Sequence, residues 1–167
     1  MQYEQAVLDE MERKLCVIAD FMEDDEVTCD IIPASEEFDL PSLMIRLPED
    51  DHGLPRILLM NYVPFPEASE STDFIQFYIE LPYDLSAYDE PSLYKAIDEL
   101  NRQLPLGHCM TLSPRPDLPY EKMVSMRYIY ALSNERELDE GNLLEALMLF
   151  LLSCDAVEMR FLAYYTA

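Results

Sequence analysis

The stretch Phe74-Ile75-Gln76-Phe77-Tyr78-Ile79-Glu80-Leu81, followed by Asp89-Glu90-Pro91-Ser92-Leu93-Tyr94-Lys95-Ala96-Ile97-Asp98-Glu99-Leu100, decides the fold class. In the first segment Ile75, Phe77, Ile79 and Leu81 alternate with more polar neighbours, the period-two pattern of a half-buried strand. In the second, Leu93, Ala96, Ile97, Leu100 and Leu104 return at helical spacing. Acids stand at its N-terminus, Pro91 falls in its first turn, and Pro105 stops it. One strand therefore feeds one helix.

Three more strands are expected upstream. Val27, Cys29 and Ile31 alternate with Thr28 and Asp30. Leu43, Ile45 and Leu47 alternate with Ser42, Met44 and Arg46. Arg56 to Val63 is almost wholly apolar, as in a strand covered on both faces. Pro48 to Gly53 reads as a hairpin connection. Ahead of them, Leu8, Met11, Leu15, Ile18 and Met22 line one face of a helix over Gln2 to Met22. Downstream, Gly107 opens a short strand, His108 to Leu112. The proline-rich loop Ser113 to Pro119 leads to the longest strand, in which Val124, Met126, Tyr128, Tyr130 and Leu132 share one face. A last helix begins near Asp139 and runs through Val157, apolar nearly all round from Ala146 to Leu152. It is buried on more than one side, or it faces a partner. The order α-β-β-β-β-α-β-β-α predicts an α+β fold, an antiparallel sheet with N-terminal, central and C-terminal helices. All 167 residues are read as a single domain, 1–167.

The chain carries 34 acidic side chains against 11 Lys plus Arg, a formal net charge of −23. Half of its residues are hydrophobic, so it has what a core needs and does not read as a disordered acidic tail. The acids belong on turns and outer helix faces. The basic residues are scattered singly apart from Arg13-Lys14, so no nucleic acid and no anionic membrane is expected as a partner. The four cysteines, Cys16, Cys29, Cys109 and Cys154, show no C-x-x-C or finger spacing and read as small hydrophobes. The acidic N-terminus carries no signal-peptide pattern, and the longest apolar run is far short of the about 20 residues of a membrane span. A cytoplasmic location is expected.

Much chemistry is excluded. The three glycines, Gly53, Gly107 and Gly141, lie too far apart for a phosphate-cradling loop. Two histidines, His52 and His108, cannot build a multi-histidine metal site. Glu49-Asp50-Asp51-His52 lacks calcium-loop spacing and reads as a solvated hairpin tip. His108 and Cys109 are strand neighbours that point to opposite faces, so they do not form a nucleophile and base. Tyr120, Tyr128 and Tyr130, with Met123 and Met126, read as core rather than a ligand groove. No catalytic residue, metal or cofactor is expected.

The region Leu93 to Val157 carries a resemblance. A helix ending Leu100-Asn101-Arg102-Gln103-Leu104-Pro105-Leu106-Gly107 leads into a strand. It is followed by Val124-Ser125-Met126-Arg127-Tyr128 and by the helix Leu143 to Val157. With the amphipathic helix and strands before it, this order resembles the type III secretion chaperone-like fold, a group that includes the bacterial YbjN-type regulators. The resemblance implies a small, acidic, cytoplasmic, non-enzymatic protein that is often dimeric. The chain departs from the chaperones in placing four strands, not three, before its central helix.

The expected function is an acidic protein–protein interaction module, chaperone-like or regulatory. Its partner is another protein, either basic or with an exposed apolar segment. The partner-binding or dimer surface is expected at Leu147, Phe150, Leu151, Tyr128 and Tyr130, where the last helix buries itself under its own sheet or pairs in a homodimer. Two alternatives stand beside this reading. One is an enzyme or small-ligand-binding protein that uses carboxylates alone. The other is an acidic mimic that inhibits a basic protein.

Overall fold

A computed structural model describes residues 3–23, 27–36, 38–49, 56–64, 71–81, 83–112, 122–133 and 136–161. Among these the chain forms helices α1 (Gln5–Met22), α2 (Glu90–Asn101) and α3 (Glu140–Phe161). The strands are β1 (Thr28–Ile32), β2 (Ser42–Leu47), β3 (Arg56–Tyr62), β4 (Thr72–Leu81), β5 (His108–Leu112) and β6 (Met123–Ser133). They form one antiparallel sheet in the order β1-β2-β3-β4-β6-β5, so the fold is α+β with the element order read from the sequence. The hairpin tip beyond Glu49, the loop Ser113 to Pro119 and Tyr120 lie outside the described residues. The chain divides into two compact units, Met1–Phe77 with Ile129–Leu143, and Tyr78–Tyr128 with Leu144–Ala167.

In the first unit α1 packs on β1, β2 and β3. Its buried residues Leu15, Ile18 and Met22 continue the stripe expected from the sequence. Register places Ile45 opposite both Cys29 and Leu58, and Leu43 opposite both Ile31 and Met60. Directly opposed residues share a face, so Leu43, Ile45, Leu58 and Met60 form one fully buried row of the core. The opposite face carries the Asp30–Arg46 ion pair. That face explains a departure from the sequence reading of β3. Leu58, Met60 and Tyr62 are buried, whereas Ile57 is exposed and Leu59 only half-covered. The apolar run conceals an ordinary alternation. Cys16 also departs from expectation: it lies on the outer side of α1 and is exposed, while Cys109 and Cys154 are buried.

In the second unit the Asp89 side chain caps α2 by accepting from the Ser92 N–H at 3.0 Å. The capping bond satisfies one orphan amide of the first turn and holds the Asp89 carboxyl below its usual pKa. Leu93, Ala96, Ile97 and Leu100 are buried. The helix ends at Asn101, one turn before the Leu104 expected from the apolar spacing. The reason is the Asn101 side chain. Its Nδ2 donates to the Cys109 carbonyl at 3.1 Å, and its Oδ1 accepts from the Cys109 N–H at 2.8 Å. Strand β5 closes one end of the sheet order, so this amide does for Cys109 what a neighbouring strand would do. Asn101→Ala is therefore expected to destabilise the chain by about 1–3 kcal/mol, because it leaves buried backbone groups unpaired. Asn101→Asp, which keeps the acceptor and loses the donor, should fall between the two. Urea denaturation with hydrogen exchange at the Cys109 amide measures both, and an unprotected wild-type amide would refute the role.

Gly107 turns the chain into β5 with φ +81, in the left-handed region. A Cβ there would stand 3.0 Å from the Arg127 carbonyl oxygen and 3.0 Å from Phe150 Cε2. The glycine thus lets the turn lie directly against β6 and α3. The register of β5 on β6 follows, with His108 opposite Arg127 and Cys109 opposite Met126.

Candidate functional site

Asp139 stands just before α3, and its side chain accepts from the Asn142 N–H at 3.0 Å. Within the second unit the inward residues of the helix are Ala146, Leu147, Phe150, Ser153, Cys154, Val157 and Phe161, all buried. They recur at three- and four-residue steps along one face. Phe150 stacks on Tyr128 with ring centroids 6.4 Å apart, and Phe161 meets the edge of Tyr88 at 5.9 Å. Ser153 sits within this apolar face because both its capacities are used. Its Oγ accepts from the Leu106 N–H at 3.1 Å and donates to the Leu149 carbonyl at 3.0 Å.

The other side of the same helix is also apolar, and it is open. Leu144, Met148, Leu149, Leu152, Ala156 and Met159 are exposed. Met159 is 76%, Met148 66% and Leu152 57% accessible. Steps of four, four, four and three residues join Leu144, Met148, Leu152, Ala156 and Met159 into one stripe. Glu145 and Asp155 lie beside it. Soluble domains rarely leave a contiguous apolar surface open without a use for it. The all-round apolar composition therefore resolves into one buried side and one exposed side.

The expected surface residues divide accordingly. Leu147 and Phe150 are core, so they present no surface. Leu151 is half-buried at the boundary. Tyr128 is half-buried against Phe150, and Tyr130 is half-buried and stacks on Phe77 at 6.4 Å. Tyr130 belongs to the first unit and the other four to the second. The exposed stripe was missed because both sides of α3 read as apolar. The distinguishing signal was residue type: the two phenylalanines fall on the inner side, and Met148 and Met159 on the outer.

Other expectations concern chemistry. His108 is exposed and Cys109 buried, on opposite faces of β5, as the strand alternation required. Burial pushes the Cys109 thiol up to about 12, which keeps it protonated and poorly nucleophilic at neutral pH. Met123 and Met126 are buried. Among the described residues no group of three or more His, Cys, Asp or Glu is placed to hold a metal ion. Nor is any helix there long and apolar enough to cross a membrane.

Two buried polar atoms stand out on β6. Among the described residues Ser125 Oγ and Arg127 Nε have no hydrogen-bond partner, and the two residues share one face of the strand. Ser125→Ala is expected to leave stability unchanged or raise it by up to about 1 kcal/mol, since it removes a hydroxyl that gains nothing from burial. A thermal melt decides it, and a clear drop in Tm would show that the hydroxyl has a partner in solution. No protein-family model matches the chain, and no curated protein matches it.

Proposed function

We propose that the chain is a non-enzymatic, cytoplasmic protein-binding module, chaperone-like or regulatory, that docks a basic amphipathic helix of another protein along the outer face of α3. One observation carries the reading: the stripe Leu144, Met148, Leu152 and Met159 stays exposed on a helix whose other side is core. Residues at this spacing match the anchor positions of helix-in-groove recognition. Methionines adapt their shape to a partner with little strain.

Charge selects the occupant. The chain bears −23, and Glu145 and Asp155 flank the stripe. A basic segment gains from that field, both in encounter rate and in partner discrimination. A second copy would bring an equal negative charge to the same face. The resemblance to type III secretion chaperones agrees with a binding role and supplies no catalytic group.

A photo-crosslinking residue at Leu152 in the native host tests the proposal, with the exposed Ser86 as control position. The expected result is one discrete product at position 152 and none at 86. Its crosslinked segment, made as a peptide, should be basic and amphipathic and should bind the purified chain. Identical products from both positions would sink the idea. A dimer that grows with concentration in sedimentation and is dissolved by Leu152→Asp would assign the face to a second copy instead.

A further inference from the structure

A hollow of about 440 Å³ lies in the first unit, between α1, the end of β3 and the segment that leads into α3. That volume falls within the roughly 300–1,000 Å³ of small-ligand pockets. It is lined by Arg13, Lys14 and Val17 of α1, by Tyr62 of β3, and by Glu137, Leu138 and Glu140 around the start of α3.

The charges in this hollow are not equivalent. Both cations already have carboxylate partners. Arg13 donates to Glu10 at 2.7 and 2.8 Å, and Lys14 to Asp73 at 2.5 Å. Lys14 also lies over the Tyr62 ring, 5.4 Å from its centroid. Glu137 and Glu140 enter no ion pair or hydrogen bond among the described residues. The lining holds two cations and two carboxylates, but Glu10 and Asp73 already neutralise the cations, so among the described residues Glu137 and Glu140 are the charges left without a partner. Val17 and Leu138 offer apolar surface beside them, and the largely buried Tyr62 ring completes the lining. Burial, aided by the Asp73 and Glu10 carboxylates, pushes the Tyr62 hydroxyl up, so it stays a neutral phenol. A bare metal ion would leave the apolar surface unused, and an anion would meet Glu137 and Glu140.

We infer that this hollow binds an organic cation, an ammonium or guanidinium on an apolar stem, with the charged head at Glu137 and Glu140 and the stem against Val17, Leu138 and Tyr62. The cation comes from one of two sources, a free amine or a Lys or Arg side chain of a polypeptide. In either case the stem gains from leaving water while the head stays paired.

Calorimetry and amide chemical shifts on the full chain test the inference with four probes. They are hexan-1-amine, a capped lysine peptide, hexan-1-ol and hexanoate. The two amines should bind and shift the amides of Val17, Tyr62 and Leu138, and the alcohol and carboxylate should not. Glu137→Gln with Glu140→Gln should weaken the amines roughly tenfold, which is about 1.4 kcal/mol. Asp20→Asn with Glu36→Gln, which removes the same charge elsewhere, should leave affinity almost unchanged. The tighter of the two amines identifies the source. Equal weakening by both double variants would reduce the effect to general attraction by an acidic chain and overturn the site. So would equal binding of hexan-1-ol, or no binding of either amine.

Discussion

Phe150→Ala is expected to remove about 3–5 kcal/mol of stability, the range for deleting a fully buried aromatic ring. That is a large part of the about 5–15 kcal/mol that holds a domain of this kind folded. Three features place it toward the upper end. The ring is fully buried. It stacks on Tyr128. Its edge also lies where any side chain at residue 107 would have to stand, 3.0 Å from the Cβ position of Gly107. That glycine turn lies close against the Arg127 backbone, so it has little freedom to collapse into the space left by the ring. Met148→Ala on the same helix should change stability by no more than about 0.5 kcal/mol, because the methionine is mostly exposed. Urea denaturation followed by circular dichroism compares the two. Equal losses would mean that α3 does not have one buried and one open side.

That contrast marks where the sequence stops being readable. The order of elements is local information. Ile75 to Leu81 alternates, and Asp89, Pro91 and Pro105 punctuate the next helix, so strand and helix were identifiable without any tertiary knowledge. Three details depended on partners distant in sequence. Helix α2 ends at Asn101 because its amide is bonded to Cys109, which no spacing rule reports. Ile57 is exposed because its face of the sheet carries Asp30 and Arg46, which only the strand register brings beside it. Leu147 and Phe150 were expected at a surface because a helix apolar on every side has no visible inside. The hollow was the least legible feature, since its lining comes from α1 and from the start of α3, far apart in the chain. Nothing near Arg13-Lys14 in sequence announces Glu137 or Glu140.

Met148→Gln combined with Leu152→Gln should lower affinity for the docked basic segment by about 1,000-fold, if each side chain contributes the roughly 2 kcal/mol of an interface anchor. Glutamine is the informative replacement. It is as good a helix former as methionine, and it alters neither the charge of −23 nor the flanking Glu145 and Asp155. Tm should therefore hold, because both positions are mostly solvent-exposed. The variant removes apolar contact and leaves electrostatic attraction in place. Residual binding should then keep its dependence on salt, since that dependence arises from charges that remain. Glu145→Gln makes the complementary change. It should reduce association rate and salt sensitivity while costing much less affinity, as rim charges do. The two variants separate a docking surface from a merely acidic one. If the glutamine pair binds as tightly as the wild type and Glu145→Gln accounts for the losses, the stripe on α3 is not the contact and the partner is held by charge alone.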